Sequence, residues 1–156
     1  MYLPFVYASN FDEYSRVPFW GALDLIGVDA YWSLSAVPTR DVAALRRAWG
    51  PISRQLAGFA AQQRKRIVFT EAGYTSVRGS TVLPYAWDTN AVPDPEEQAA
   101  AYRALLSEFE NQPWWAGVYW WTWSVVPDTG DDHSRDFTVR EKPAEQVVRQ
   151  FWTDGG

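Results

Sequence analysis

The stretch Ile67-Val68-Phe69-Thr70-Glu71-Ala72-Gly73-Tyr74 is apolar for the length of a strand and then stops on a carboxylate, with glycine and an aromatic ring behind it. Two other strand-like runs stop in a similar manner. Leu25-Ile26-Gly27-Val28-Asp29-Ala30-Tyr31-Trp32 ends on Asp, Tyr and Trp, and Ala116-Gly117-Val118-Tyr119-Trp120-Trp121-Thr122-Trp123 ends on tryptophans. In a parallel α/β barrel the C-terminal strand ends carry the chemistry, so a Glu there is a candidate catalytic group. A Glu after a strand also serves as a plain cap or loop solvator; the company of Tyr31 and the tryptophans weighs toward a site. One carboxylate among converging rings is the make-up of a sugar-binding cleft. A tyrosine such as Tyr31 near Glu71 would donate a hydrogen bond to its charged form.

The other acids weigh less. Asp29 shares a strand face with Tyr31 by the two-residue period, and its structural role, a strand-end Asp bonded to loop backbone, outweighs a catalytic one. Asp12, Glu13, Asp88, Asp128, Asp131 and Asp132 fall in loop-like segments and read as solvated or capping. Among the tryptophans, Trp49 lies on a helical seam and reads as packing, as do Trp20 and Trp152; Trp114 and Trp115, just before a strand, read as core. Trp32, Trp87, Trp121 and Trp123 lie at or beyond strand ends and are the sugar-stacking candidates, Trp121 foremost, with Asn10 at the rim. Alternation puts Tyr119, Trp121 and Trp123 on one face of their strand and Val118 and Trp120 on the other.

The elements that must position these groups repeat as strand then helix, four times. The strands are expected at Leu3 to Ala8 (closing on Ser9-Asn10), Leu25 to Tyr31, Ile67 to Thr70 and Gly117 to Trp121. A short helix is expected around Asp12 to Leu23. The clearest seam follows: Val42, Leu45, Trp49, Ile52, Leu56 and Phe59 recur at spacings of three and four, with a break or kink expected at Gly50-Pro51. Asp94-Pro95-Glu96-Glu97 reads as a helix start, leading to a buried face of Tyr102, Leu105 and Phe109, and Lys142-Pro143 opens a last helix through Val147, Val148 and Phe151. Strands alternating with helices imply a parallel sheet with right-handed crossovers. Two long connections, Thr75 to Pro93 and Ser124 to Glu141, leave strand C-terminal ends; the first carries Tyr85 and Trp87 and reads as a cleft wall.

Length and composition narrow the possibilities. A chain of 156 residues suits one domain with one core. Aromatics make up 17% of residues, ten of them Trp, more than a small core requires. A net charge of −5 disfavours nucleic acid, which calls for clustered Lys and Arg. The basic run Arg64-Lys65-Arg66 falls where a helix ends and complements its dipole. There is no cysteine, hence no disulfide or thiolate metal site, and the single histidine, His133, sits in a polar stretch and reads as solvated. No cofactor and no metal is expected. No apolar run approaches the ~20 residues that span a bilayer, and the N-terminus lacks the basic start of a signal peptide, so a soluble protein is expected.

At Tyr7-Ala8-Ser9-Asn10-Phe11-Asp12-Glu13-Tyr14, Phe19-Trp20, Leu23 to Tyr31, Phe69 to Tyr74, Trp115 to Trp123 and Lys142-Pro143-Ala144-Glu145, the chain resembles the C-terminal half of glycoside hydrolase family 113. The resemblance implies half of a (β/α)8 TIM barrel of an endo-β-mannanase-like enzyme that acts with retention of configuration. By that resemblance Glu71 matches the nucleophile at the end of strand seven, Tyr31 the strand-six tyrosine that bonds it, and Trp121 the strand-eight platform beneath the sugar. A whole barrel takes ~250 residues and eight strands. This chain offers the equivalents of strands five to eight, and the family's acid/base glutamate belongs to strand four. The expectation is therefore a (βα)4 half-barrel, completed by homodimerisation or by an N-terminal half-barrel, with an oligosaccharide as substrate or ligand and little or no hydrolysis alone. The alternatives are a carbohydrate-binding or purely structural module, and a truncated piece of a whole enzyme.

Overall fold

In the computed structural model, residues 3–87, 90–125 and 135–154 are described. Four strands, β1 (Val6–Asn10), β2 (Leu25–Asp29), β3 (Ile67–Ala72) and β4 (Trp115–Trp120), form one sheet in the order β1-β2-β3-β4, and every neighbouring pair is parallel. Three helices, α1 (Val42–Gln63), α2 (Pro95–Phe109) and α3 (Pro143–Asp154), complete the half-barrel. β1 starts three residues later than expected and runs on through Asn10, so Asn10 is a strand residue.

The Val42–Phe59 seam becomes one unbroken helix that passes through Pro51. Pro51 lacks a backbone donor, yet Leu45 and Trp49 before it and Leu56 and Ala60 after it are all buried, and that continuous stripe outweighs the one missing bond. Asp41 caps the helix by accepting the Ala44 N–H at 3.0 Å, and left-handed Arg64 closes it with its N–H on the Ala60 and Ala61 carbonyls. Lys65 Nζ then donates to the Leu23 carbonyl, tying the helix end to the segment before β2. The region expected as a helix from Asp12 to Leu23 is instead two single 3-10 turns, Tyr14–Arg16 and Trp20–Ala22. Its order comes from side chains: Trp20 Nε1–H donates to the Tyr14 carbonyl at 2.8 Å, and Gln55 Nε2 donates to the Tyr14 hydroxyl at 2.8 Å.

The core fills the space between sheet and helices. Ile26 and Val28 of β2 and Ile67 and Phe69 of β3 are fully buried, together with Leu45, Trp49, Leu105 and Phe109. Phe69 lies parallel to Trp49 with centroids 6.3 Å apart and meets Phe109 edge-on at 5.0 Å. Trp152, expected to pack, is instead 60% exposed and touches the ring of Phe151; on the last turn of α3 it lies past the helix face that reaches the core.

The opposite face of the sheet is lightly loaded. Val6, Tyr119 and Trp121 are exposed. Gly27 holds this face together, since a Cβ there would overlap the Tyr7 carbonyl and crowd Thr70 Cγ2 at 2.8 Å and Val6 Cγ2 at 2.9 Å. Among the described residues no helix is long and apolar enough to cross a membrane.

Candidate active site

Strict alternation along β3 would send Glu71 into the helix layer, because Phe69, two residues earlier, is buried there. The pairing with β2 prevents this. Val28 pairs with Phe69, but Asp29 pairs with Glu71, so Thr70 is an inserted residue that shifts the phase of the strand. Glu71 therefore shares the open face with Asp29, and Ala72, fully buried and paired with Trp120, takes the helix side.

The hydroxyl of Tyr31 donates to Glu71 Oε2 at 3.0 Å. Burial, and then the adjacent Glu71 carboxylate, push the Tyr31 phenol well above its usual range, so it stays an O–H donor throughout the neutral range. The Ala30 N–H donates to the Glu71 carbonyl at 2.7 Å and fixes the backbone that carries Tyr31. Asp29, half-buried, accepts the Thr70 hydroxyl at 2.7 Å; its bond is to a side chain rather than to the expected loop backbone. Burial pushes the Asp29 carboxyl up, and the Thr70 hydrogen bond opposes that shift.

The end of β4 closes on the end of β3. The Trp121 N–H donates to the Ala72 carbonyl at 2.8 Å, and at Gly73 a Cβ would overlap the Trp121 carbonyl oxygen. Trp121 thus stands beside Glu71's strand end with 42% of its surface exposed, and Trp123, two residues on, is 47% exposed. Asn10 is exposed at the end of β1, its side-chain oxygen accepting the Phe11 N–H at 3.1 Å. Trp32 turns toward the core, against Phe11, Tyr14, Trp49 and Phe69. Trp87 is 63% exposed with its ring 4.6 Å from Phe137, in the loop after β4. Asp88, Asp128, Asp131, Asp132 and His133 lie outside the described residues.

The connection after β3 is an organised wall. Its base is a short antiparallel contact: the Asp94 N–H donates to the Ser76 carbonyl at 2.7 Å and the Arg78 N–H to the Val92 carbonyl at 2.8 Å. Tyr85 reaches back to stack on Phe11, 6.4 Å away, after β1. Buried Lys142 joins the wall to the loop after β4 through Asp136 at 2.5 Å and the Ser76 hydroxyl at 2.8 Å. The sequence reading missed Glu97, whose buried carboxylate accepts the N–H groups of Gly79 and Thr81 at 3.0 and 3.1 Å and the Thr81 hydroxyl at 2.7 Å. Its local pattern signalled only a helix start.

The profile of Glycoside Hydrolase Family 113 matches residues 4–142. Among solved structures, a GH113 β-mannanase from Alicyclobacillus acidocaldarius, AaManA in complex with ManMIm, superposes with a TM-score of 0.81 at 26% identity, over 98% of this chain and 46% of its own. A complex of a GH113 β-1,4-mannanase gives 0.78 at 26% identity, over 96% and 45%. A β-glucuronidase from Faecalibacterium prausnitzii shares the fold alone, with a TM-score of 0.63 at 22% identity over 97% of this chain and 25% of its own. No curated protein matches the chain. The chain spans just under half the length of the mannanases it resembles. With the profile covering most of the sequence, the chain belongs to glycoside hydrolase family 113.

Proposed function

We propose that this half-barrel carries the nucleophile half of a retaining β-mannanase-like site. The observation that carries the reading is the 3.0 Å bond from the Tyr31 hydroxyl to Glu71 at adjoining strand ends, beside the exposed Trp121. Glu71 is the nucleophile toward the anomeric carbon. Tyr31 orients its carboxylate, and Trp121 offers a ring to the apolar face of a sugar. Trp123, Trp87 and Asn10 extend the lining, and Trp32 acts from behind, through packing. Retention needs a second carboxyl ~5–5.5 Å away to protonate the leaving oxygen. The nearest acid across the strand pair is Asp29, and the Thr70 hydroxyl engages one of its oxygens. Little or no hydrolysis by this chain alone is the consequence. The decisive assay offers mannan oligosaccharides and an activated aryl mannoside to the protein and to Glu71→Gln. Robust turnover of the oligosaccharide, lost in the variant, would overturn the inactivity.

A binding role without turnover draws on the exposure of the tryptophans at the end of β4. Mannotriose should quench Trp fluorescence saturably, and Trp121→Ala should abolish the response. No response at millimolar sugar would leave a purely structural domain.

We further propose that the open face is closed by a second copy, giving eight strands in a two-fold assembly. The support is that β1 and β4 each pair on one side only among the described residues, and that Val6 and Tyr119 face outward. Sedimentation at micromolar concentration should give a dimer; a well-folded monomer would refute closure.

A further inference from the structure

We propose that Glu97 is a positioning residue for the Tyr31–Glu71 pair, acting through a hydrogen-bonded bracket that joins the loops after β2 and β3. Glu97 is the third residue of α2 and is only 1% exposed. A Glu at this helical position ordinarily turns back to the N–H of the capping residue. Here that N–H, of Asp94, already donates to the Ser76 carbonyl at 2.7 Å, while the Asp94 side chain caps the Glu97 N–H at 2.9 Å. The Glu97 carboxylate is thereby directed into the wall loop, where it takes the Gly79 and Thr81 N–H groups and the Thr81 hydroxyl.

Thr81 passes the constraint on. Its only hydroxyl proton is committed to Glu97, so at the 2.8 Å contact with Ser35 the serine is the donor. The Leu34 N–H also donates to the Thr81 carbonyl at 2.9 Å. The segment from Ala30 to Ser35 is therefore held at both ends: Ala30 bonds the Glu71 carbonyl and Leu34–Ser35 bond Thr81, with Tyr31 between them. The hydroxyl relay from Ser35 through Thr81 points each proton toward the buried Glu97 carboxylate, and such charge-assisted, mutually polarised bonds are the strong ones. The bracket is separate from what closes the wall loop, because the loop base is fastened by the Ser76–Asp94 and Arg78–Val92 contacts. Glu97 joins the wall to the segment that carries Tyr31.

The bracket leads from Glu97 to a hydrogen bond that the structure contains; its bearing on sugar binding rests on the function proposed above. Amide exchange and the Tyr31 ring resonances, assigned with Tyr31→Phe, test the two separately. Glu97→Gln keeps size but must turn its NH2 group toward either the Gly79 N–H or the two Thr81 donors, which the two carboxylate oxygens accept separately. Exchange over residues 30–36 and 77–83 should rise about tenfold or more, β3 amides should stay protected, and the Tyr31 resonances should shift. Thr81→Val should reproduce this and serves if Glu97→Gln does not fold; Ser35→Ala should loosen residues 30–36 alone. Faster exchange confined to 77–83, or an unmoved Tyr31, would overturn the proposal. Mannotriose affinity should fall in Glu97→Gln and in Tyr31→Phe alike. If the unaltered protein fails to bind mannotriose, the functional reading fails while the exchange and resonance data still decide the bracket.

Discussion

Neighbouring residues of β4 show the two faces of the sheet at their most different. Trp120 stacks on Tyr102 at 4.3 Å in the helix layer, whereas Trp121, one residue on, is 42% exposed beside Glu71. The same residue type is structural on one side and unspent on the other. Rings on the helix side exclude water and fix the spacing of sheet and helices. Rings on the open side add little to folding, so their presence points to a ligand or a covering partner. The sheet therefore divides its work by face: the helix side builds the scaffold and the open side, where Glu71 follows the extra residue in β3, presents the candidate site.

Breaking that division should give unequal losses. The largest belongs to the helix side: Trp49→Ala, at a fully buried ring, should cost about 3–5 kcal/mol in urea unfolding. Trp121→Ala should stay within about 0.5 kcal/mol in the same measurement while removing the sugar response. Comparable losses at the two sites would erase the contrast. An intermediate effect is expected at Gly27, where the open face is tight rather than vacant. Gly27→Ala forces a methyl group against the Tyr7 carbonyl and should cost about 1–3 kcal/mol, read from the unfolding midpoint.

The smallest effect is electrostatic. Burial raises the Asp29 carboxyl above its usual value, so the folded chain holds that proton more tightly than the unfolded chain does. Stability from this group is full below the ordinary carboxylate range and falls as pH climbs through the raised value. Asp29→Asn retains an oxygen for the Thr70 hydroxyl and removes the charge. Its unfolding midpoint should exceed that of the parent at pH 7 and converge with it at pH 3, where Asp29 is protonated in both states. A gap that persists at pH 3 would assign the effect to packing.

The strand-helix alternation was legible because each strand is a compact apolar run and each long helix has a regular seam. Glu71, Tyr31 and Trp121 were legible as neighbours because parallel strands bring their C-terminal ends together. Pro51 misled because a local rule gave way to burial on both sides of it. Asp12 to Leu23 misled because its order comes from Trp20 and Gln55 bonding to Tyr14, contacts that no periodicity records. Glu97 looked like part of a helix cap, and its role depends on Ser76 taking the Asp94 N–H from a distant part of the chain. The extra residue in β3 was hidden for the same reason, since only the partner strand defines it.

That extra residue lets β3 present two consecutive side chains, Thr70 and Glu71, to the open face, where an unbulged strand presents one. Deleting Thr70 would make Glu71 the direct successor of Phe69, so plain alternation would still give Glu71 the open face and Ala72 the helix side, while the hydroxyl on Asp29 would be lost. The insertion therefore adds a hydroxyl beside the two carboxylates rather than choosing the face on which Glu71 stands. A chain with a gap at this position would lose the hydroxyl partner of Asp29 and keep its cleft carboxylate.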